Sequence, residues 1–244
     1  MIFETIVTTL SPEGELHLAP MGIRYEGDEV LMMPFKPSRT LDNVLATGKA
    51  VLNLTTDVRV FAGCVTGRRE WPTIALDGFP GRRLASALTH VELELVKPQD
   101  HDVRPILHMR RVGEHAHAAF PGFNRAQAAV IEGAVLVSRL SMLPREKVES
   151  EMLYLQIAID KTAGPHELEA WEWLTEAADR FHAEQEARAL SGCWSACALS
   201  TRHCRPRASS ITLTSRSRPL AHSADSTPSG SETSSPPSGR DIPA

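Results

Sequence analysis

Over residues 1–120, turn signals divide the chain into short apolar segments rich in β-branched residues, and this spacing leaves few folds open. Residues 2–10 and 15–23 flank the turn SPEGE, and residues 30–33 follow a second turn at YEGDE. Farther along, LTHVELELVKP alternates apolar and polar residues, and VRPILHMRRVG can pair with it. Many closely spaced strands with two short helices among them predict an antiparallel barrel.

The segments between these strands are predicted to be two short helices, a strand and a long loop. In the first helix Leu41, Val44 and Leu45 share one face, and Gly48 lies at the C-terminal stop. The strand is apolar enough to be buried on both faces. In chain order the segments are RTLDNVLATG (helix), KAVLNLTTD (strand), VRVFAGCVTG (helix) and RREWPTIALDGFPGRR (loop).

Residues 121–190 change to a helical period and predict a helical C-terminal subdomain. Asn124 is a good N-cap for the first of three helices, and Pro165 lies near the first position of the last. On that last helix Leu168, Trp171 and Leu174 are expected to share a side. The three helices are expected to pack on the barrel, on each other or on a second subunit.

Residues 191–244 differ in kind, since they are rich in serine and proline, contain no lysine and have little hydrophobic periodicity. Such a segment buries too little apolar surface to offset the entropy of ordering it, so we predict a disordered tail. Its Cys193, Cys197, His203 and Cys204 have poor spacing for a structural zinc site.

The composition is typical of a soluble protein. With 42% hydrophobic residues and a formal net charge of -4, the chain has no general attraction for nucleic acid or anionic membranes. No apolar run approaches the roughly 20 residues of a membrane span. The N-terminus lacks the basic start and cleavage site of a signal peptide, so we expect a cytoplasmic protein.

The stretch PFKPSRTLDN, residues 34–43, collects cationic and hydroxyl side chains at the entrance of a predicted helix. Free N–H groups and the helix dipole favour an anion there, and Lys36, Ser38, Arg39 and Thr40 add donors. Alternatively, Ser38 or Thr40 caps the helix and the two cations are solvated. The spacing alone favours the cap.

Other clusters of polar residues give weaker predictions of function. Arg68 and Arg69 beside Trp71 are suited to an anionic substrate or to a solvated loop, and Cys64 is expected to be a small buried hydrophobe. Several histidines, including the HAH at residues 115–117, have no neighbouring carboxylate or cysteine at a recognised metal spacing, so no metal is expected. No side chain is identified as a general acid or base, and the catalytic residues stay unknown.

The order of these segments resembles the FMN-binding split-barrel superfamily, in particular its flavin-reductase-like members. The resemblance rests on HLAP at residues 17–20, SRTLDN at 38–43, Thr47-Gly48 and LNL at 52–54. Arg39 and His17 replace an acidic residue and an asparagine of the reductase pattern. Residues 1–190 as a whole are more similar to a family of small flavin-binding split-barrel proteins, some associated with tetrahydromethanopterin-dependent one-carbon metabolism.

The resemblance implies a mainly β, antiparallel split barrel over residues 1–120, with the helical subdomain and tail after it. It also implies an FMN cofactor, with different residues beside the phosphate, the ring and the ribityl chain. Ser38, Arg39 and Thr40 would hold the phosphate with Lys36 and Asn43 nearby, Ala19, Pro20, Met21 and Gly22 would run beside the ring, and Asn53 and Thr55 would lie within reach of the ribityl chain or ring.

The resemblance further implies a homodimer with two flavin sites and a small-molecule redox substrate. If the protein is an enzyme, it is an oxidoreductase whose chemistry comes from the flavin. Two alternatives stay open at this point. The protein is a flavin carrier or sensor without turnover, or the barrel holds another phosphate- or propionate-bearing cofactor, namely pyridoxal phosphate or haem.

Overall fold

The computed structural model describes the backbone of residues 1–200 and the side chains of residues 1–189. Its strands are β1 Phe3–Leu10, β2 Leu16–Glu26, β3 Glu29–Met32, β4 Lys49–Leu54, β5 Thr73–Ala75, β6 Arg82–Leu84, β7 Thr89–Gln99 and β8 Ile106–Ala116. Its helices are α1 Arg39–Thr47, α2 Arg59–Val65, α3 Arg125–Val137, α4 Arg145–Thr162 and α5 Pro165–Ser200. The expected barrel is confirmed: antiparallel strands close in the order β1-β2-β3-β8-β7-β4.

The barrel is filled by the apolar residues that alternate along its strands. Val7, Leu52 and Leu93 are among those in the buried cluster, and Leu41 and Val44 of α1 join them. Leu45, which the sequence placed on the same face, is instead 50% exposed. The reason is geometric, because consecutive helical residues are turned by about 100° and the buried stripe of this short helix ends at Val44.

Strand β2 is paired along only part of one edge. Its full length pairs with β1, from Leu16 opposite Leu10 to Ile23 opposite Phe3. Its other edge pairs with β3 only from Ile23 to Glu26. Among the described residues, no strand pairs with this edge from Leu16 to Gly22, so the barrel is split there.

The segment predicted to be a long loop contains a hairpin. Strands β5 and β6 pair with each other, from Thr73 opposite Leu84 to Ala75 opposite Arg82. The Arg82 guanidinium donates to the hydroxyl of Thr73 (2.9 Å) and to its carbonyl oxygen (3.0 Å). Strands of three residues are too short for a periodic pattern, so these tertiary contacts, and not local sequence, determine them.

Asn53 joins this hairpin to the barrel. Its side chain is fully buried, and its amide Nδ2 lies within hydrogen-bond distance of the Ile6 carbonyl (3.1 Å), the Thr8 hydroxyl (3.2 Å) and the Val51 carbonyl (3.2 Å). Its oxygen accepts from the backbone N–H of Leu84 at 2.7 Å. One carboxamide therefore satisfies backbone groups of three strands that are distant in sequence.

The C-terminal helices share a second apolar core with α2. The predicted N-cap is confirmed, since the Asn124 side chain accepts from the N–H groups of Ala126 (2.7 Å) and Gln127 (3.3 Å). A close approach of α3 to α5 depends on Gly133, where a Cβ would lie 2.8 Å from the Trp171 ring. Trp171 is buried as expected, whereas Leu168 is exposed.

The described part of α5 ends at Ser200, which lies beyond the boundary predicted for the start of the tail. The prediction of a disordered segment otherwise falls on residues 201–244, outside the described residues, as do His203 and Cys204. Within the part of the chain that is described, no helix is both long and apolar enough to cross a membrane.

Replacing Asn53 by alanine is expected to destabilise the protein by about 2–4 kcal/mol, because the Leu84 N–H and the Ile6 carbonyl lose their buried partner. The free energy of unfolding in urea would measure the loss. Lys97→Ala, at an exposed position of β7, should change it by less than about 0.5 kcal/mol. Equal effects of the two substitutions would contradict this role of Asn53.

Candidate functional site

The N-terminus of α1 is capped by Ser38. This residue has an extended backbone, with φ -155° and ψ 136°, and its hydroxyl oxygen accepts from the N–H of Leu41 at 3.1 Å. The capping alternative considered for this stretch is therefore present. The hydrogen bond uses a lone pair of the hydroxyl and leaves its proton available, so the cap does not exclude an anion at the same helix end.

The other residues predicted at the phosphate divide into exposed and buried ones. Lys36 is exposed and forms an ion pair with Asp100. Arg39 is exposed, and its Nη2 lies 3.7 Å from the Glu15 carboxylate. Thr40, by contrast, is only 2% exposed.

Asn43 is also buried, and its amide donates to the Thr9 hydroxyl at 3.0 Å. The structure therefore places Ser38 and Arg39 together at the accessible helix entrance. Thr40 and Asn43 face the protein interior, and Lys36 is engaged by an acidic partner.

The predicted ring-side residues lie on the unpaired edge of β2. Ala19, Pro20, Met21 and Gly22 are all half-buried. The Met21 carbonyl accepts from the Thr5 hydroxyl at 2.8 Å, and a Cβ at Gly22 would lie 2.8 Å from the Ile2 side chain. Backbone groups along an unpaired edge are free to bind the polar edge of a planar ligand.

The two residues predicted near the ribityl chain have other partners. The Asn53 carboxamide is fully engaged inside the barrel wall, as described above. The hydroxyl of Thr55 donates to the Ser86 carbonyl at 3.0 Å and accepts from the Asp57 N–H at 3.1 Å. Their proposed contact with a flavin stays a prediction, and the contacts observed give both side chains a structural role.

His17 on β2 is influenced by two arginines from different parts of the fold. Burial, followed by the positive charges of Arg39 and Arg69, lowers the pKa of His17. A cavity of about 340 Å³ between the β1–β2 turn and α1 is lined by His17, Arg39 and Asn43, and also by the carboxylates of Glu13, Glu15 and Asp42. His17 is therefore neutral near pH 7, in a place where two guanidinium charges converge.

A second cavity also lies beside this part of β2. It measures about 530 Å³ and is lined by Leu16, Leu18, Arg69, Glu70, Trp71 and Pro72. Leu16 lines both cavities. The two cavities together offer a polar end with charged groups of both signs and a partly apolar end beside the same strand.

Trp71 and its neighbours are fixed in place by packing. The Arg68 guanidinium lies 4.3 Å from the centroid of the Trp173 ring, and the Trp71 and Trp173 centroids are 6.3 Å apart. A Cβ at Gly63 would lie 2.4 Å from the Trp71 ring, so only glycine fits there. Arg68 therefore packs on the helices, whereas Arg69 acts towards β2.

Cys64, on α2 near these residues, is not an activated nucleophile. Burial raises the pKa of its thiol to about 11, and the positive charge of Arg69 only partly opposes this. The thiol is protonated near neutral pH, as expected for a small, largely buried hydrophobe. Nothing in the sequence indicated a role for His17 in binding, and little indicated one for Arg69. The adjacent arginines of GRR were the only signal for the latter.

A closed antiparallel barrel with one partly unpaired strand, followed by helices, is a split barrel. The chain belongs to the family described as "Protein of unknown function (DUF447)": the model of its N-terminal domain matches residues 3–118, and a second model of the family matches residues 124–176. The resemblance to a small split-barrel family with a helical C-terminal part is thereby confirmed.

One solved structure agrees with this fold, and others are similar to about half of the chain. The FMN-bound DUF447 protein MM1853 from Methanosarcina mazei is 23% identical, with a TM-score of 0.63 over 72% of this chain and 94% of that one. The 2-nitrobenzoate 2-nitroreductase NbaA of Pseudomonas fluorescens is 20% identical, with a TM-score of 0.42 over 47% and 64%. A putative split-barrel flavin reductase from Shewanella frigidimarina is 15% identical, with a TM-score of 0.43 over 51% and 74%.

Replacing Arg39 by glutamine is expected to raise the pKa of His17, because a positive charge that disfavours protonation is removed. Since burial is the larger cause, the pKa should stay below the usual histidine value. NMR titration of the His17 ring measures it, with His17→Gln used for assignment. Arg180→Gln, an exposed position on α5, should leave the pKa of His17 unchanged. If the pKa of His17 did not change in Arg39→Gln, the charge of Arg39 would not act on His17.

Proposed function

We propose that this chain binds FMN beside strand β2 and acts as an FMN-dependent oxidoreductase. The observation that carries the proposal is that Arg39, at the α1 N-terminus, and Arg69 line two cavities that share Leu16 of β2, the strand with an unpaired edge. A ligand that combines a phosphate with a planar heterocycle needs cationic groups beside a strand edge with free backbone groups. The FMN-bound relative from Methanosarcina mazei supports the choice of cofactor.

The phosphate would lie at the entrance of α1. Arg39 is exposed, and its contact with Glu15 is a surface ion pair at 3.7 Å that costs little to exchange for a stronger anion. The hydroxyl proton of Ser38 and the positive end of the helix dipole add to the attraction. The positive charge of Arg69 also acts on His17, so two guanidinium groups would share the charge of the phosphate.

The flavin ring would lie along residues 19–22, on the edge of β2 that faces away from β1 and has no strand partner there. Leu16, Leu18 and Trp71 line the adjacent cavity and would provide its apolar contacts. When bound, FMN supplies two-electron chemistry, accepting a hydride and passing electrons to a second substrate. The chain contributes binding, orientation and exclusion of water, and a neutral His17 that can donate or accept one hydrogen bond.

We further propose that the protein is a homodimer, with each flavin near the interface. The family resemblance supports this, as do the exposed Ile2, Phe3 and Tyr25 on the barrel surface. The Phe3 and Tyr25 rings are in contact, with centroids 5.4 Å apart, and together present an aromatic face. Light scattering at micromolar concentration would test it, and a monomer with bound FMN would contradict it.

The redox partner is proposed to be a small molecule, and the resemblance favours a pterin of one-carbon metabolism. Anaerobic bleaching of the flavin by NAD(P)H, followed by reoxidation on addition of a pterin, would support turnover. A protein that retains FMN but is neither bleached nor reoxidised would instead be a carrier. Such a result would remove the oxidoreductase assignment and leave the binding assignment intact.

The FMN assignment predicts that mass spectrometry of ligand released from purified protein finds FMN, and that Arg39→Ala and Arg69→Ala each weaken FMN binding about tenfold to a hundredfold. The estimate follows from about 1.5–3 kcal/mol for a hydrogen bond to a charged group. Fluorescence titration with added FMN measures the affinity. Arg180→Ala, remote from the cavities, should bind as the wild type does.

Riboflavin, which lacks the phosphate, provides a control for where the arginines act. Its affinity should be lower than that of FMN and should change little in Arg39→Ala. If Arg39→Ala weakened riboflavin and FMN equally, Arg39 would not bind the phosphate. If neither variant changed FMN binding, the site would lie elsewhere on the molecule.

A further inference from the structure

A cluster of histidines and a carboxylate lies on strands β7 and β8, away from the cavities described above. In the register of these strands, His90 lies opposite His115 and Glu92 lies opposite Gly113. Alternate residues of a strand share a face, so His90 and Glu92 point the same way as His115 and His117. Chain spacing separates these residues into two pairs, and only the strand pairing brings them together.

The donor atoms of three of these residues lie close to one another. The Nε2 of His90 is 3.7 Å from Oε1 of Glu92, and the Nε2 of His115 is 3.9 Å from the same oxygen. One ligand atom from each of His90, Glu92 and His115 lies within 4.8 Å of the other two. These separations are too long for hydrogen bonds and leave a gap between the three groups.

A buried ring nitrogen beside this gap has no hydrogen-bond partner among the described residues. His90 is only 4% exposed, and its Nε2 is buried without a hydrogen-bond partner among the described residues. Leaving a buried polar atom unpaired costs about 1–3 kcal/mol. A ligand in the gap would satisfy this nitrogen.

The other ring nitrogen of His90 is already held. Its Nδ1 lies 2.8 Å from Nε2 of His117, and the two rings are stacked with centroids 5.0 Å apart. In the tautomer that donates from Nδ1 to His117, the Nε2 of His90 carries a lone pair directed away from His117. A metal-binding histidine ordinarily has this arrangement, in which its second ring N–H is held by a neighbouring group.

The backbone opposite Glu92 leaves room for the cluster. A Cβ at Gly113 would lie 2.4 Å from Oε2 of Glu92 and 3.3 Å from Nε2 of His115. Any larger residue would therefore displace the Glu92 carboxylate and crowd the His115 ring. The register of the two strands also shifts between Glu92 and Leu93, a bulge of the kind found beside functional sites.

We propose that His90, Glu92 and His115 bind a zinc ion, with His117 orienting His90 through its Nδ1. Two imidazole nitrogens and a carboxylate oxygen are a donor set that zinc prefers. Zinc ligands in a tetrahedron stand about 3.3–3.4 Å apart, closer to the observed 3.7 and 3.9 Å than the about 3 Å of adjacent octahedral ligands. His115 is 58% exposed, so the fourth position faces solvent.

The experiment measures zinc binding to the full-length chain after chelator treatment. The three cysteines near the C-terminus are a competing source of affinity, so the background for every variant is Cys193→Ser/Cys197→Ser/Cys204→Ser. Calorimetry with zinc chloride should find one equivalent bound. Cobalt substitution should give a spectrum without the thiolate charge-transfer band. An absence of zinc binding in this background would overturn the proposal.

Ligand variants locate the site. His115→Gln and Glu92→Gln change exposed or half-buried groups and should fold normally, with affinity for zinc lowered about 100-fold. His90→Gln should abolish binding, and His117→Gln should weaken it about 10–100-fold. His166→Gln, an exposed histidine on α5, is the matched control. Unchanged affinity in folded His115→Gln and Glu92→Gln would overturn the assignment.

Gly113→Ala should lower zinc affinity without removing any ligand, because its Cβ would separate Glu92 from His115. Anaerobic competition between zinc and ferrous iron should favour zinc, and a preference for iron would overturn the choice of metal. If an Arg39→Ala variant without FMN still binds zinc, the zinc proposal is independent of the FMN proposal.

Discussion

The buried carboxamide of Asn53 connects parts of this fold that no local pattern connects. It binds backbone groups of β1, its own strand and β6, so the β5–β6 hairpin is fixed on the outer wall of the barrel. His90 lies directly opposite Asn53 in the register of β4 and β7. A single amide thus connects the hairpin to the barrel wall, and loss of its hydrogen bonds would weaken that connection.

The sequence predicts the barrel because turn signals separate its short apolar segments and because alternation is visible in longer strands such as β7. Glycine and asparagine also mark helix ends, at Gly48 and Asn124. It does not predict β5 and β6, whose three-residue strands depend on Arg82 and on Asn53. It also overestimates the apolar face of α1, since the buried stripe of a nine-residue helix is too narrow to include Leu45.

The candidate sites could be predicted from the sequence less completely than the fold. Donors at the α1 entrance can be read from PFKPSRTLDN, but burial of Thr40 follows from how the helix packs, which spacing does not reveal. Convergence of Arg39 and Arg69 on His17 requires three separate segments to meet. No ligand spacing along the chain indicates the histidine cluster, because His90 and Glu92 meet His115 only through the pairing of β7 with β8.

The unpaired edge of β2 has a consequence for behaviour in solution. An exposed strand edge is a template on which another chain can add a strand, and proteins commonly protect such edges with proline. Pro20 lies in the middle of this edge and has no N–H to offer to an incoming strand. The missing N–H at this position disfavours the addition of a strand from another chain, so replacing Pro20 by a residue with an N–H would be expected to increase aggregation along this edge.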